Sequence, residues 1–273
     1  MKDYILTQIY NDIKGSEWPN IDNSVYDYYR LPVHIQQECE EDFKIFENIE
    51  NQDYWIDKLT PAITPPDYEK NKFCYIPTPK CASTYYQDLF FKLEWKKTDF
   101  FHSVDSNNTR FFTCIIHPLK RYFKGLAQFI YQHDLHKVEK IYNKIIDGKN
   151  GVILIPDAHS MPYTHSFSDS VLENLFCMPI DFLTDEQSRE YLLAFFEAHG
   201  YEIDLPVTDR IHVSSPEKSK IYTDLVSRLQ NNKDLLHAIY RLGIGKDINL
   251  YRRSIRNYQY FTQTGKILTN YQQ

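Results

Sequence analysis

Residues 73–95 read FCYIPTPKCASTYYQDLFFKLEW, and this stretch decides the fold. Residues 73–76 form a short apolar run with the aromatic and β-branched content of a buried strand. Pro77 and Pro79 end the strand, and Lys80-Cys81-Ala82-Ser83-Thr84 makes a tight turn of small residues around one cation. From Tyr85 onward, Tyr86, Leu89, Phe90 and Leu93 recur at helical spacing, with Lys92 and Glu94 between them. The unit is strand, small-residue loop, helix.

That order has a chemical consequence. The first N–H groups of a helix lack intrahelical partners, and the helix dipole is positive at that end. A loop of small residues lets those groups close around an anion. Lys80 adds a full positive charge, and Ser83 and Thr84 add hydroxyl donors. The pattern predicts a phosphate or sulfate cradle. It is not a Walker A loop, because G-x-x-x-x-G-K-[ST] is absent. The alternative is a plain strand–helix turn in which Ser or Thr caps the helix.

The hexapeptide Pro79-Lys80-Cys81-Ala82-Ser83-Thr84 resembles the 5′-phosphosulfate loop of the sulfotransferases that use PAPS (3′-phosphoadenosine 5′-phosphosulfate), which reads roughly P-K-x-[GA]-[ST]-T. The Ala-Ser-Thr version is similar to that of the Golgi-type carbohydrate sulfotransferases, the uronyl 2-O group especially. The resemblance implies that Lys80, Cys81, Ala82, Ser83, Thr84 and Tyr85 hold the phosphosulfate.

Composition bounds the alternatives. A chain of 273 residues is long enough to bury a full α/β core. Its formal net charge of −6 argues against a general nucleic-acid surface. The 22 Tyr and 17 Phe against 8 Gly predict an aromatic core. No apolar run is long enough to span a membrane, and the charged start MKDYILTQIYNDIKG lacks the apolar region of a signal peptide. The five Cys show neither zinc spacing nor a disulfide framework. These features predict a reduced, cytoplasmic protein with no metal and no membrane partner, unlike the anchored Golgi relatives. The oligomeric state is open.

Along the chain, residues 1–71 read as an acidic helical extension, with one short helix near Ile5–Ile13 and another over 33–49. Residues 98–105 read as a second strand, and 110–116 (RFFTCII) as a third, running into His117-Pro118 and a helix over 119–131. A helix over 137–150, strands at 152–155 and 177–183, and a helix capped at Thr184 and ended near Gly200 follow. Ser215 and Pro216 start another helix. Arg252, Arg253 and Arg256 recur at helical spacing and are expected to be solvated.

The resemblance continues in order through 72–252. Sulfotransferases read the cofactor's 3′-phosphate with a segment like R-[DN]-P-x-x-R-x-x-S. Here Pro118 and Arg121 match, while Ile116 replaces the first Arg and Lys124 the Ser. Arg121 and Lys124 are the implied 3′-phosphate contacts. The segment around His159 is similar to an H-x-x-P-Q element of the family, and the loop holding Ser214, Ser215 and Lys218 to one that closes over the adenosine. The ending around Ile239–Tyr251 is similar to a Y-x-x-D-x-x-L-Y packing element.

Taken together, the expected fold is α/β: a central parallel sheet flanked by helices, of the P-loop-like sulfotransferase type. The expected divisions are a helical extension (1–71), the α/β domain (72–256) and a tail (257–273). The implied activity is sulfuryl transfer from PAPS to an acceptor hydroxyl, on a carbohydrate by resemblance. Lys80 would stabilise the leaving group. His102 occupies the place of the family's base, with Asp105 and His159 as alternatives and a packed strand residue as the plain reading of His102. A P-loop-like kinase and a non-catalytic nucleotide-binding protein are the competing classes.

Overall fold

The computed structural model describes residues 62–98, 108–132, 134–137, 159–160, 162–167, 171–172, 175–206, 215–229 and 244–268, with 104, 139, 142 and 143 between them. The chain divides into two units. One holds 58–118, 163–213 and 246–273, and carries the whole sheet. Among the described residues, no helix is long and apolar enough to cross a membrane.

The sheet has five strands: β1 (Ala62–Thr64), β2 (Phe73–Tyr75), β3 (Lys96–Thr98), β4 (Arg110–Ile115) and β5 (Leu175–Pro179), in the order β3-β1-β2-β4-β5. β2, β4 and β5 run parallel, with Tyr75 opposite Phe112 and Ile115 opposite Pro179. β1 is antiparallel to both β2 and β3. The sheet is therefore mixed, which corrects the expectation of a parallel one. The cause is connection length. Residues 65–72 are too few to hold the crossover that a parallel neighbour needs, so β1 and β2 pair antiparallel.

Two further corrections follow. Of the strand expected at 98–105 beside β2, only Thr98 and Val104 are among the described residues; Thr98 ends β3, which β1 separates from β2. The strand expected at 177–183 begins earlier, at Leu175, and ends at Pro179. There the chain turns, with Phe182 N–H donating to the Pro179 carbonyl at 3.0 Å. The sheet thus begins before residue 72. Expected elements at 1–49 and 152–155, and most of 137–150, lie outside the described residues.

Alternation along the parallel strands sends side chains to two buried faces. Phe73, Tyr75, Phe112, Cys114, Phe176 and Met178 join one core, while Cys74, Ile76, Phe111, Ile115, Leu175 and Cys177 join the other. Helix α1 (Ser83–Lys92) brings Tyr86, Leu89 and Phe90 to the first core. Helix α3 (Asp185–Glu197) brings Tyr191, Leu192, Phe195 and Phe196 to it. The aromatic surplus of the composition is spent here: Phe176 stacks on Phe195 with centroids 4.2 Å apart, and Phe90 lies 4.7 Å from Trp95. Thr184 and Gln187 form the expected capping box of α3. The last helix, α5 (Gly245–Thr264), passes residue 256 without a break. It closes the second core with Leu250 and Tyr251.

The other unit holds helix α2 (Pro118–Gln132) from Leu119 onward and helix α4 (Pro216–Leu229). Ser215 caps α4 as expected, its Oγ accepting from Lys218 N at 3.2 Å. Within this unit Lys218 donates to Gln128, Tyr142 to Asp224, and His136 pairs with Glu217 at 2.7 Å.

Candidate functional site

The cradle stretch leaves β2 at the carboxyl end of the parallel strands, the edge where open α/β sheets take ligands. Thr78 is buried there, and its hydroxyl bonds the Thr113 hydroxyl of β4 at 2.7 Å. Thr113 in turn donates to the Ile76 carbonyl at 2.6 Å. This pair pins the start of the loop to the neighbouring strand. Thr78-Pro79-Lys80-Cys81 then forms a turn closed by Cys81 N–H on the Thr78 carbonyl at 3.2 Å. Proline at the second position and a positive φ at the third are the marks of a type II turn, and Lys80 supplies that third residue with φ +65°.

Ala82 is left-handed as well, with φ 55° and ψ 28°, and is the N-cap of α1. Left-handed backbone at a non-glycine residue costs on the order of 1–2 kcal/mol. Of the described non-glycine residues, Lys80, Ala82, Glu94 and Asp134 have positive φ, so two of them bracket Cys81 in this loop. Such strain persists only where the surroundings impose it, and it gathers at functional sites. Cys81 is fully buried and anchors the loop into the first core. Lys80 and Ser83 are half-buried, and Thr84 is exposed.

The helix start fits an anion. The first bond across α1 is Tyr86 N–H to the Ala82 carbonyl at 3.1 Å. No side chain caps the helix and its first turn carries no acid. The reading in which Ser or Thr merely caps the helix is thereby corrected: the N-cap is Ala82, which has no acceptor to offer. The positive end of the dipole and the Lys80 ammonium belong to one loop.

The remaining sequence-derived candidates are distributed unevenly. His102, Asp105 and Ser214 lie outside the described residues. Arg121, Lys124 and His159 belong to the unit without the sheet. Within it, Arg121 is 2% exposed and Lys124 is exposed, and both are engaged. The backbone at His159 packs against α2 at Gly125, where a Cβ would collide with the His159 carbonyl. Ile116, at the position of the family's first Arg, is buried in the first core. Arg253 is not simply solvated, since it donates to the Leu172 carbonyl at 2.9 Å. Among the described residues no group of three or more His, Cys, Asp or Glu could hold a metal ion.

Sequence reasoning passed over a cluster at the same edge. His117 follows β4 and Asp181 follows β5. The Asp181 carboxylate accepts from His117 N–H at 3.1 Å and from the Tyr251 hydroxyl at 2.9 Å. The His117 and Tyr251 rings meet edge to face, with centroids 5.4 Å apart. The signal was a His-Pro pair closing a strand, but Asp181 and Tyr251 are far away in the chain.

No family model, no curated protein and no solved structure matches this chain.

Proposed function

We propose that the protein is a sulfotransferase that moves the sulfuryl group of PAPS to an acceptor hydroxyl, the acceptor being a carbohydrate. The observation that carries this reading is the loop of Thr78–Ala82. A strained turn presents a lysine beside an uncapped, acid-free helix start at the carboxyl edge of parallel strands. Sulfuryl transfer moves spread negative charge in line from a phosphate to an oxygen, so positioning and charge stabilisation do most of the work. In this reading Lys80 neutralises charge on the bridging oxygen of the leaving group. The first-turn N–H groups and the Ser83 and Thr84 hydroxyls hold the terminal oxygens. For the 3′-phosphate the resemblance implies Arg121 and Lys124, for the adenosine Ser214, and for the base His102.

One observation favours a second reading, an anion- or nucleotide-binding protein without transfer. Ile116 belongs to the core, so the family's first Arg has no substitute at that position. Calorimetric titration of PAPS, PAP (the 3′,5′-bisphosphate product) and ATP into wild type and Lys80→Ala separates the two. The sulfotransferase reading expects PAPS and PAP to bind more tightly than ATP, with binding weakened by Lys80→Ala. Preference for ATP, or binding of PAPS without turnover, supports the second reading.

A further inference from the structure

The parallel strands β2, β4 and β5 lie side by side in one unit, so their carboxyl ends form a single edge. β2 leads into the cradle, β4 into His117 and β5 into Asp181. Neighbouring strands are about 5 Å apart, so the chain bearing His117 leaves the sheet one spacing from the cradle. Contacts tie the start of the cradle loop to β4: Ile76 N–H donates to the Phe112 carbonyl at 2.9 Å, and the Thr78 hydroxyl bonds that of Thr113 at 2.7 Å. Tyr75 is opposite Phe112, and beyond that pair β2 leads into the cradle while β4 runs on to Ile115 and then His117.

His117 is also held. Asp181 fixes its backbone, and the Tyr251 ring, itself tied to Asp181, packs against the imidazole. A base at a transfer site needs such a fixed ring within reach of the reacting oxygen. The side chain is half-buried, with Nδ1 on its buried side.

We propose that His117 is a catalytic residue, accepting the proton of the nucleophile that attacks the anion held in the cradle. This gives His117 the role that the resemblance gives His102, and it rests on the proposed function for the identity of the anion. In the sulfuryl case the acceptor oxygen bonds to sulfur while the bond from sulfur to the bridging phosphate oxygen breaks. PAP leaves with that electron pair, and the acceptor's proton passes to the imidazole of His117. Water serves as the simplest acceptor, giving PAP and sulfate.

The test uses the full chain, with PAPS hydrolysis as the activity and the imidazole nitrogens followed by NMR. His117→Gln identifies the His117 signal. The expected result is that PAP moves that signal in the wild type. His117→Gln should slow turnover by ~10²-fold or more while PAP affinity stays within about threefold, the range of a lost general base. If PAP binds but leaves the signal unmoved, or if His117→Gln keeps its turnover while His102→Ala loses it, the proposal is overturned. If the chain hydrolyses ATP and not PAPS, the sulfuryl reading falls, and the same loss in His117→Gln upholds this proposal. Turnover of neither compound overturns both.

Discussion

Replacing Lys80 by Ala and by Gly separates the left-handed turn that this residue forms from the chemical role proposed for it. Both changes remove the ammonium, and only Gly relieves the left-handed backbone at φ +65°. A left-handed L-residue costs roughly 1–2 kcal/mol. The greater freedom of Gly in the unfolded chain takes back about 0.4–1 kcal/mol. The net expectation is that Lys80→Gly is more stable than Lys80→Ala by about 0.5–1 kcal/mol. With a urea slope of ~2–3 kcal/mol/M for a chain of this size, the midpoint should rise by about 0.2–0.5 M. Both variants should lose the proposed transfer by ~10²-fold or more, because the charge proposed to stabilise the leaving group is gone in each. Urea unfolding followed by tryptophan fluorescence measures the first quantity, and PAPS turnover the second. Equal midpoints would refute the strained-turn argument. Turnover within a few-fold of wild type in either variant would remove Lys80 from the chemistry.

Lys124→Ala should weaken PAP more than adenosine 5′-phosphosulfate in calorimetry, since it is proposed to read the 3′-phosphate; equal weakening would end that role. Asp247 is fully buried and accepts from Tyr163 N, Thr164 N and the Thr164 hydroxyl. Asp247→Ala strands these donors and should lower stability by about 3 kcal/mol or more by urea unfolding, and a loss under 1 kcal/mol would contradict the burial argument. Burial, with Arg110 nearby, holds the His199 pKa below its ordinary 6.5. The unfolded chain therefore binds the extra proton first, and stability should fall as pH drops through the region just below 6.5. His199→Gln should flatten that part of the urea-midpoint profile, and an unchanged slope would assign it to other groups.

The strand–turn–helix at 73–95 was legible because everything in it is local. Prolines stop a strand, small residues make the turn, and apolar residues at helical spacing make α1. The capping boundaries at Thr184 and Ser215 were legible for the same reason. Strand pairing was not. β1 and β3 are short, and β3 carries exposed lysines, so neither has a hydrophobic period to read. Their antiparallel pairing depends on which segments meet across the sheet. The left-handed backbone at Lys80 and Ala82 was equally hidden, since neither is the glycine that announces such a turn. The carboxyl edge shows the same division. Residues near one another in sequence determined the cradle by themselves. Only the tertiary structure, by setting β4 between β2 and β5 and bringing Tyr251 from the last helix to Asp181, decided that His117 follows the strand next to the cradle's own. Contacts between segments distant in the chain leave no periodic trace in either one, because each side chain need only fit its partner.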